Sequence, residues 1–300
     1  MRTPFTGCGT ALVTPFTKDG AVDEAAVRRL ARRQIERGIH FLVPCGTTGE
    51  VPTLSAAERR RVVEIVVSEA AGKVPVLAGA GGYDTKEVIH AVGEMHNAGA
   101  QGILSVTPYY NKPTQEGLYQ HFKAIADSTP LPIIVYNVPG RTGCNVEVAT
   151  QARLATIPNI IGVKEASGNM TQMCEVCRAV PEGFLVLSGD DALTLPLMAV
   201  GGRGIISVAS NEIPGEMSQM VEAAERGDYR AAREMHTRLL PLMQINFIEA
   251  NPIPVKTAMA AMGLVDEHFR LPMVAPKPAS REKIVAVLRE LNLIGEAVRA

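Results

Sequence analysis

Lys164 closes the apolar run of residues 160–163 and is followed by Glu165, Ala166, Ser167 and Gly168. Burying an ammonium against apolar walls disfavours its charged form. An amine so placed falls from about 10.4 toward neutrality and becomes a nucleophile for carbonyl carbon. The plainer reading is a solvated strand end with its stem lying along the surface. The neighbours decide between the two. GTTGE (46–50), TPYYNKP (107–113), YNVPGRTG (136–143), KEASGN (164–169), SGDD (188–191) and SVASN (207–211) all sit at the end of a short apolar run or directly after one. The opposite ends carry plain turns, such as those at 71–72 and 158–159. Reactive side chains thus gather on one face, together with the lysine.

A Schiff-base lysine needs a proton shuttle that carries water off the carbinolamine and makes and quenches the enamine. Tyr136 ends the strand before that of Lys164 and supplies a phenol for this work, with Thr47 and Tyr110 as hydroxyls to extend the relay. Backbone N–H groups of the turn at residues 47–49 suit a carboxylate, because small residues let an anion approach. Arg141, in a Pro-Gly-Arg-Thr-Gly loop, offers a planar fork for a second carboxylate. Each residue alone has an ordinary reading: a strand-end aromatic, a turn hydroxyl bonded locally, a solvated arginine. Their assembly carries the chemical one.

Other chemistries fit less well. Residues 79–82 (GAGG) resemble a dinucleotide turn, but Asp84 occupies the position of the third glycine. Asp190 and Asp191, after the seventh strand, would repel a phosphate where barrels usually bind one. The six histidines form no H-E-x-x-H, and no G-x-S-x-G elbow occurs, so neither a metal nor a serine nucleophile is expected. Cys174 and Cys177 form a lone C-x-x-C within a helical pattern. The 300 residues are 46% hydrophobic and carry a net charge of −1, with Lys and Arg scattered. Neither nucleic acid nor a membrane surface is expected as partner. The first sixteen residues make a poor signal peptide, and five irregularly spaced cysteines suit a reducing cytoplasm.

The elements that must hold these residues alternate. Strands are expected at 10–16, 39–44, 74–78, 103–107, 133–136, 160–164, 184–187 and 204–208. Helices between them open on Asp23, on a Ser55–Glu58 capping box, on Asp84 and on Thr114, then near 146, 171, 192 and 214. Eight such units predict a parallel sheet closed into a (β/α)₈ TIM barrel, with an open doubly wound sheet as the other arrangement. From 227 the pattern is helical only (228–249, 254–262, 280–291), with a proline-rich connection at 271–278. The expected division is therefore a catalytic barrel of residues 1–226 and a C-terminal helical appendix of residues 227–300.

With GTTGE, YNVP and the strand-end lysine in order, and with TPYYNKP, GRTG and NPIPVK (251–256) beside them, the chain resembles the dihydrodipicolinate synthase family. That family belongs to the pyruvate-dependent class I aldolases, which include N-acetylneuraminate lyase. The resemblance implies that pyruvate forms an imine with Lys164 and that its enamine attacks L-aspartate 4-semialdehyde, without any cofactor. It implies Tyr136 as proton donor and acceptor, with Thr47 and Tyr110 in the relay. It also implies Thr48 and the main chain of Ile206 as holders of pyruvate, and Arg141 as receiver of the semialdehyde carboxylate. In the family the tyrosine matching Tyr110 crosses a subunit contact, which implies a homotetramer, a dimer of dimers. Lysine-inhibited members bind the amino acid near the matches of Glu87 and Tyr109. Tyr83 and Ala56 replace an asparagine and a histidine often seen there, and Arg59 and Val51 also depart from the pattern, so weak or absent inhibition is expected.

Two other functions compete. The chain could act on a sugar aldehyde or on 4-hydroxy-2-oxoglutarate as another pyruvate aldolase, although Arg141 favours a short anionic aldehyde. A non-catalytic barrel sensing a 2-oxo acid would have no need of Lys164 or Tyr136, and both are present.

Overall fold

A computed structural model describes residues 4–295. Its eight strands are β1 (Gly7–Ala11), β2 (Phe41–Val43), β3 (Leu77–Gly79), β4 (Gly102–Val106), β5 (Ile133–Asn137), β6 (Ile160–Glu165), β7 (Leu185–Ser188) and β8 (Gly204–Ser207). All neighbouring strands run parallel, in the order β2-β1-β8-β7-β6-β5-β4-β3. The two ends of that order meet. Leu42 bridges Val76, Leu42 N donates to Pro75 O at 3.0 Å, and Gly79 N donates to Pro44 O at 2.9 Å. The sheet is a barrel and not an open, doubly wound one.

Helices cover its outside: α1 (Glu24–Glu36), α2 (Ala56–Ala70), α3 (Thr85–Asn97), α4 (Gln115–Asp127), the short α5 (Pro139–Thr142), α6 (Val148–Leu154), α7 (Met170–Ala179), α8 (Thr194–Ala199) and α9 (Pro214–Glu225). Their starts follow local chemistry. Asp23 accepts from Ala26 N, Ser55 and Glu58 exchange both bonds of a capping box, and Thr114 accepts from Gly117 N. Strand side chains then alternate. Phe41, Leu77, Leu104, Ile134, Leu187 and Ile206 fill the barrel interior, while Leu42, Ala78, Ile103, Ile133 and Ile205 pack beneath the helices.

The boundaries of β1, β3 and α10 differ most from expectation; β3 runs over Leu77–Gly79 and not 74–78, since Val76 makes only an isolated bridge, to Leu42. β1 runs over Gly7–Ala11 and not 10–16, because Gly9 is a strand residue lying where the Phe41 ring occupies the interior: a Cβ there would sit 2.1 Å from that ring. After Ala11 the chain leaves the sheet, and Phe16 pairs antiparallel with Val22. The first tail helix, α10 (Tyr229–Ile245), stops short of 249. The next residue, Asn246, is buried and donates through Nδ2 to Glu212 Oε2 at 2.6 Å. Residues 246–252 therefore turn, and α11 (Ile253–Ala261) and α12 (Pro278–Glu290) follow. Leu239, Leu242, Ala258, Ile284 and Leu288 share one apolar cluster with Val27, Val62 and Met217 of the barrel helices.

β6 carries a bulge that decides where its lysine points. Ile133 pairs with Ile160 and Ile134 with Gly162, so Ile161 is the extra residue. Strict alternation would put Ile161 and Lys164 on opposite faces. Here Ile161 faces the interior and Val163 packs outward under α7, and the phase change turns Lys164 inward. Gly162 permits it, since a Cβ there would meet Leu185 O at 2.6 Å.

Candidate active site

Lys164 is paired across the sheet with Tyr136, both within their strands and not in the turns beyond them. Lys164 Nζ lies 4.1 Å from the centroid of the Tyr136 ring, and both residues are buried. Burial pushes the lysine pKa down to about 7; the Asp191 carboxylate resists this and the Arg141 charge adds to it. Near neutrality a substantial fraction of the amine is free. Burial pushes the Tyr136 phenol upward, against the Arg141 charge and a hydrogen bond with Thr47. It stays protonated and available as an acid beside a nucleophilic amine.

The two face a chamber of about 110 Å³ whose walls include Thr47, Thr48, Arg141 and Asn251. Thr47, Tyr136 and Arg141 also line an adjoining cavity of about 250 Å³, which is mostly apolar and reaches Tyr109. Thr47, Thr48 and Gly49 form a single 3₁₀ turn after β2, closed by Gly49 N on Gly46 O at 3.0 Å and Glu50 N on Thr47 O at 3.1 Å. Thr14 Oγ1 donates to Gly49 O at 2.7 Å, and Asn251 Nδ2 donates to Thr48 Oγ1 at 2.9 Å. Arg141 stands on α5 at the exposed rim and donates through Nη2 to the Asn251 carbonyl at 3.4 Å. A chamber with an amine and a phenol inside, a small-residue turn on one wall and a guanidinium at the rim suits a short acid carrying a carbonyl.

Of the remaining expected residues, Ile206 shares the interior cluster of Tyr136, whereas Tyr110, Tyr109 and Glu87 lie outside the chamber. Ile206 is buried in β8 with its side chain in the barrel interior. Tyr110 is 92% exposed, has a left-handed backbone with φ 70°, and is not brought to Tyr136 within the chain. Tyr109 stacks edge-on with Tyr83 at 5.2 Å. With Glu87, Arg59 and Ala56 it lines a further cavity of about 230 Å³ that meets the apolar one at Gly79, Gly81 and Tyr109, and Val51 lines the apolar one. Among the described residues no group of three His, Cys, Asp or Glu side chains converges as metal ligands would, and no helix is long and apolar enough to cross a membrane.

Several supporting residues escaped the sequence reading. Asp191 does not face a ligand as a repelling charge. It is buried and accepts from Ser207 Oγ at 2.5 Å, Val208 N at 3.0 Å and Ala209 N at 3.1 Å, fixing the chain after Ile206. Glu165, adjacent to the lysine, accepts from Asn137, Gln151 and Gln172 side chains and from Ser167 N, which anchors the end of β6. Lys256, fully buried, joins Glu50 at 2.6 Å and ties the tail to the 47–50 turn. A usable signal existed for the last: one acid and one lysine lie inside otherwise apolar or small-residue motifs, GTTGE and NPIPVK.

The chain matches the family model described as "Dihydrodipicolinate synthetase family" over residues 4–291. A 4-hydroxy-tetrahydrodipicolinate synthase of Koribacter versatilis (strain Ellin345) is 54% identical over 295 residues, spanning 98% of each chain. One of Syntrophus aciditrophicus (strain SB) is 52% identical over 291 residues, 97% of this chain and 100% of the relative. The crystal structure of dihydrodipicolinate synthase from Aquifex aeolicus superposes with a TM-score of 0.95 at 45% identity, covering 97% of this chain and 100% of that one. The chain belongs to the dihydrodipicolinate synthetase family.

Proposed function

We propose that this chain is a lyase, a 4-hydroxy-tetrahydrodipicolinate synthase that condenses pyruvate with L-aspartate 4-semialdehyde through a Schiff base on Lys164. The observation that carries the reading is the buried Lys164 amine over the Tyr136 ring at 4.1 Å, in a chamber that also meets Thr48 and Arg141. Relatives of that name at more than half identity over the full chain support the substrates.

The free amine adds to the pyruvate ketone, Tyr136 delivers the proton that lets water leave, and the imine forms. Loss of a methyl proton gives the enamine, whose carbon bonds to the semialdehyde aldehyde as that oxygen takes a proton. The substrate's own amine then attacks the imine carbon, closes the ring and expels Lys164 for the next turn. Thr47, and Tyr110 from a neighbouring subunit, extend the proton path. The Thr48 amide and the Ile206 main chain hold the pyruvate carboxylate. Arg141 receives the carboxylate of the semialdehyde by a bidentate, charge-assisted contact. Lys164 is the covalent carrier, so no cofactor or metal is required. Residues 1–226 supply the reacting groups in this reading, and the helical appendix expected over 227–300, described to residue 295, braces the barrel and adds Asn251 to the chamber wall.

The reading includes a homotetramer in the cytoplasm, feeding lysine and diaminopimelate synthesis. The exposed, left-handed Tyr110 supports a subunit contact at that loop. Lysine is a weak inhibitor or none, since Tyr83 and Ala56 line the cavity that holds Glu87 and Tyr109. Half-maximal inhibition by sub-millimolar lysine would overturn that part. The test of the function is pyruvate consumption with L-aspartate 4-semialdehyde beside N-acetylmannosamine and glyoxylate. Turnover of the semialdehyde alone is expected; preference for another aldehyde would make this a different pyruvate aldolase.

A further inference from the structure

Lys164 and Tyr136 are register partners in β6 and β5, and so are the residues that follow them, Glu165 and Asn137. Successive strand residues face opposite sides of the sheet. The reacting pair looks into the barrel, and Glu165 and Asn137 lie behind it, fully buried beneath α6 and α7. Asn137 Nδ2 donates across the two strands to Glu165 Oε2 at 3.0 Å. Asn137 Oδ1 accepts from Val146 N at 3.0 Å, which fixes the way this amide points. Glu165 Oε2 also accepts from Gln151 Nε2 at 2.9 Å and Gln172 Nε2 at 3.3 Å, and Oε1 accepts from Ser167 N at 2.8 Å. These bonds hold a weak point of the sheet. β6 bulges at Ile161 and ends at Glu165, so the ladder that aims Lys164 is irregular before the lysine and finished just after it.

We propose that Glu165 and Asn137 are positioning residues for the reaction, a cross-strand tie on the outer face of the sheet that keeps Lys164 and Tyr136 in line for proton transfer on the inner face. The assignment rests on the function proposed above. Neither residue lines the chamber, and the tie acts through the backbones of the two strands. Proton transfer punishes small errors of placement, since a shift of about 1 Å costs roughly 10²-fold. The tie needs a carboxylate, because every partner of Glu165 is an N–H donor. In Glu165→Gln, an amide whose oxygen stays on Ser167 N turns its own NH2 toward those of Asn137, Gln151 and Gln172. Asn137 cannot turn away without losing Val146 N.

The test reads two steps with pyruvate alone. Borohydride trapping at saturating pyruvate measures how much of the protein carries the imine. Exchange of the pyruvate methyl protons in D2O, followed by proton NMR, measures the imine–enamine step, in which the methyl carbon loses a proton and takes back a deuteron. Glu165→Gln keeps the trapped fraction within about twofold and slows exchange per trapped imine about 10- to 100-fold. The acidic limb of kcat/KM for exchange stays at about pH 7, because burial, Asp191 and Arg141 set the lysine. A merely structural role would lower the urea midpoint and leave exchange per trapped imine unchanged. Exchange within about twofold of wild type in folded Glu165→Gln overturns the assignment, and so does a limb that moves with the lost charge. Should Glu165→Gln not fold, Asn137→Ala, which removes the donor on the other strand, carries the same expectation. Failure of both variants to fold makes the pair structural and also overturns it. A wild-type protein that traps no pyruvate refutes the proposed function; a wild-type protein that does, with exchange unmoved in the folded variants, refutes this inference alone.

Discussion

Lys256 Nζ lies 2.6 Å from Glu50 Oε1 with neither side chain in contact with solvent. The ammonium also donates to Thr14 O and His268 O and sits over the rings of Phe16 and Phe269. Glu50 closes the 47–49 turn in a left-handed conformation, φ 55°. The pair therefore fastens the C-terminal helices to the wall on which a substrate carboxylate would rest.

Removing one member strands the other charge. Lys256→Met lowers unfolding free energy by about 3–5 kcal/mol, because Glu50 is left buried without its cation. Lys256→Met with Glu50→Gln recovers part of that loss. Urea unfolding followed by circular dichroism measures both, and a loss under about 1 kcal/mol in the single variant contradicts a buried charge pair.

Activity against pH follows from the depressed lysine. The neutral amine attacks, and its fraction grows as pH rises through its pKa, so kcat/KM for pyruvate climbs through a half-maximum at about pH 7 and levels above it. The Asp191 carboxylate holds that pKa up, so Asp191→Asn moves the acidic limb to lower pH. A limb that stays in place or moves upward in this variant contradicts the assignment.

Tyr136→Phe keeps the ring beside Lys164 and removes the proton. Turnover falls by about 10²–10⁴-fold, while imine formation with pyruvate is slowed and not abolished. Stopped-flow formation of the adduct, beside steady-state rates, separates the two steps.

Arg141→Met removes the fork at the rim. KM for the semialdehyde rises about 10- to 100-fold, and KM for pyruvate changes far less. Equal effects on both substrates would place Arg141 on the wrong carboxylate.

Much of this was legible in the chain because strand ends and helix caps are local. Ser55 with Glu58, Asp84 and Thr114 announce their helices, and the apolar runs announce seven of the eight strands near their observed positions. β1 hid because glycines interrupt its apolar pattern, and only the rings of His40, against Gly7, and Phe41, against Gly9, explain them. The Lys164–Tyr136 pair was inferable from strand order, but the inward turn of the lysine depends on a bulge at Ile161 that alternation cannot reveal. The Asp191, Glu165 and Lys256 networks join residues far apart in sequence, and Asn251 reaches Thr48 across 203 positions. Such pairings exist only once the barrel has closed.

The proposed reaction depends on Lys164 carrying pyruvate as an imine. Incubation with pyruvate and sodium borohydride, followed by peptide mass spectrometry, tests it directly. One reduced pyruvyl adduct is expected, on Lys164, and both the adduct and all turnover are lost in Lys164→Ala. An adduct on another lysine, or turnover that survives in Lys164→Ala, would contradict it.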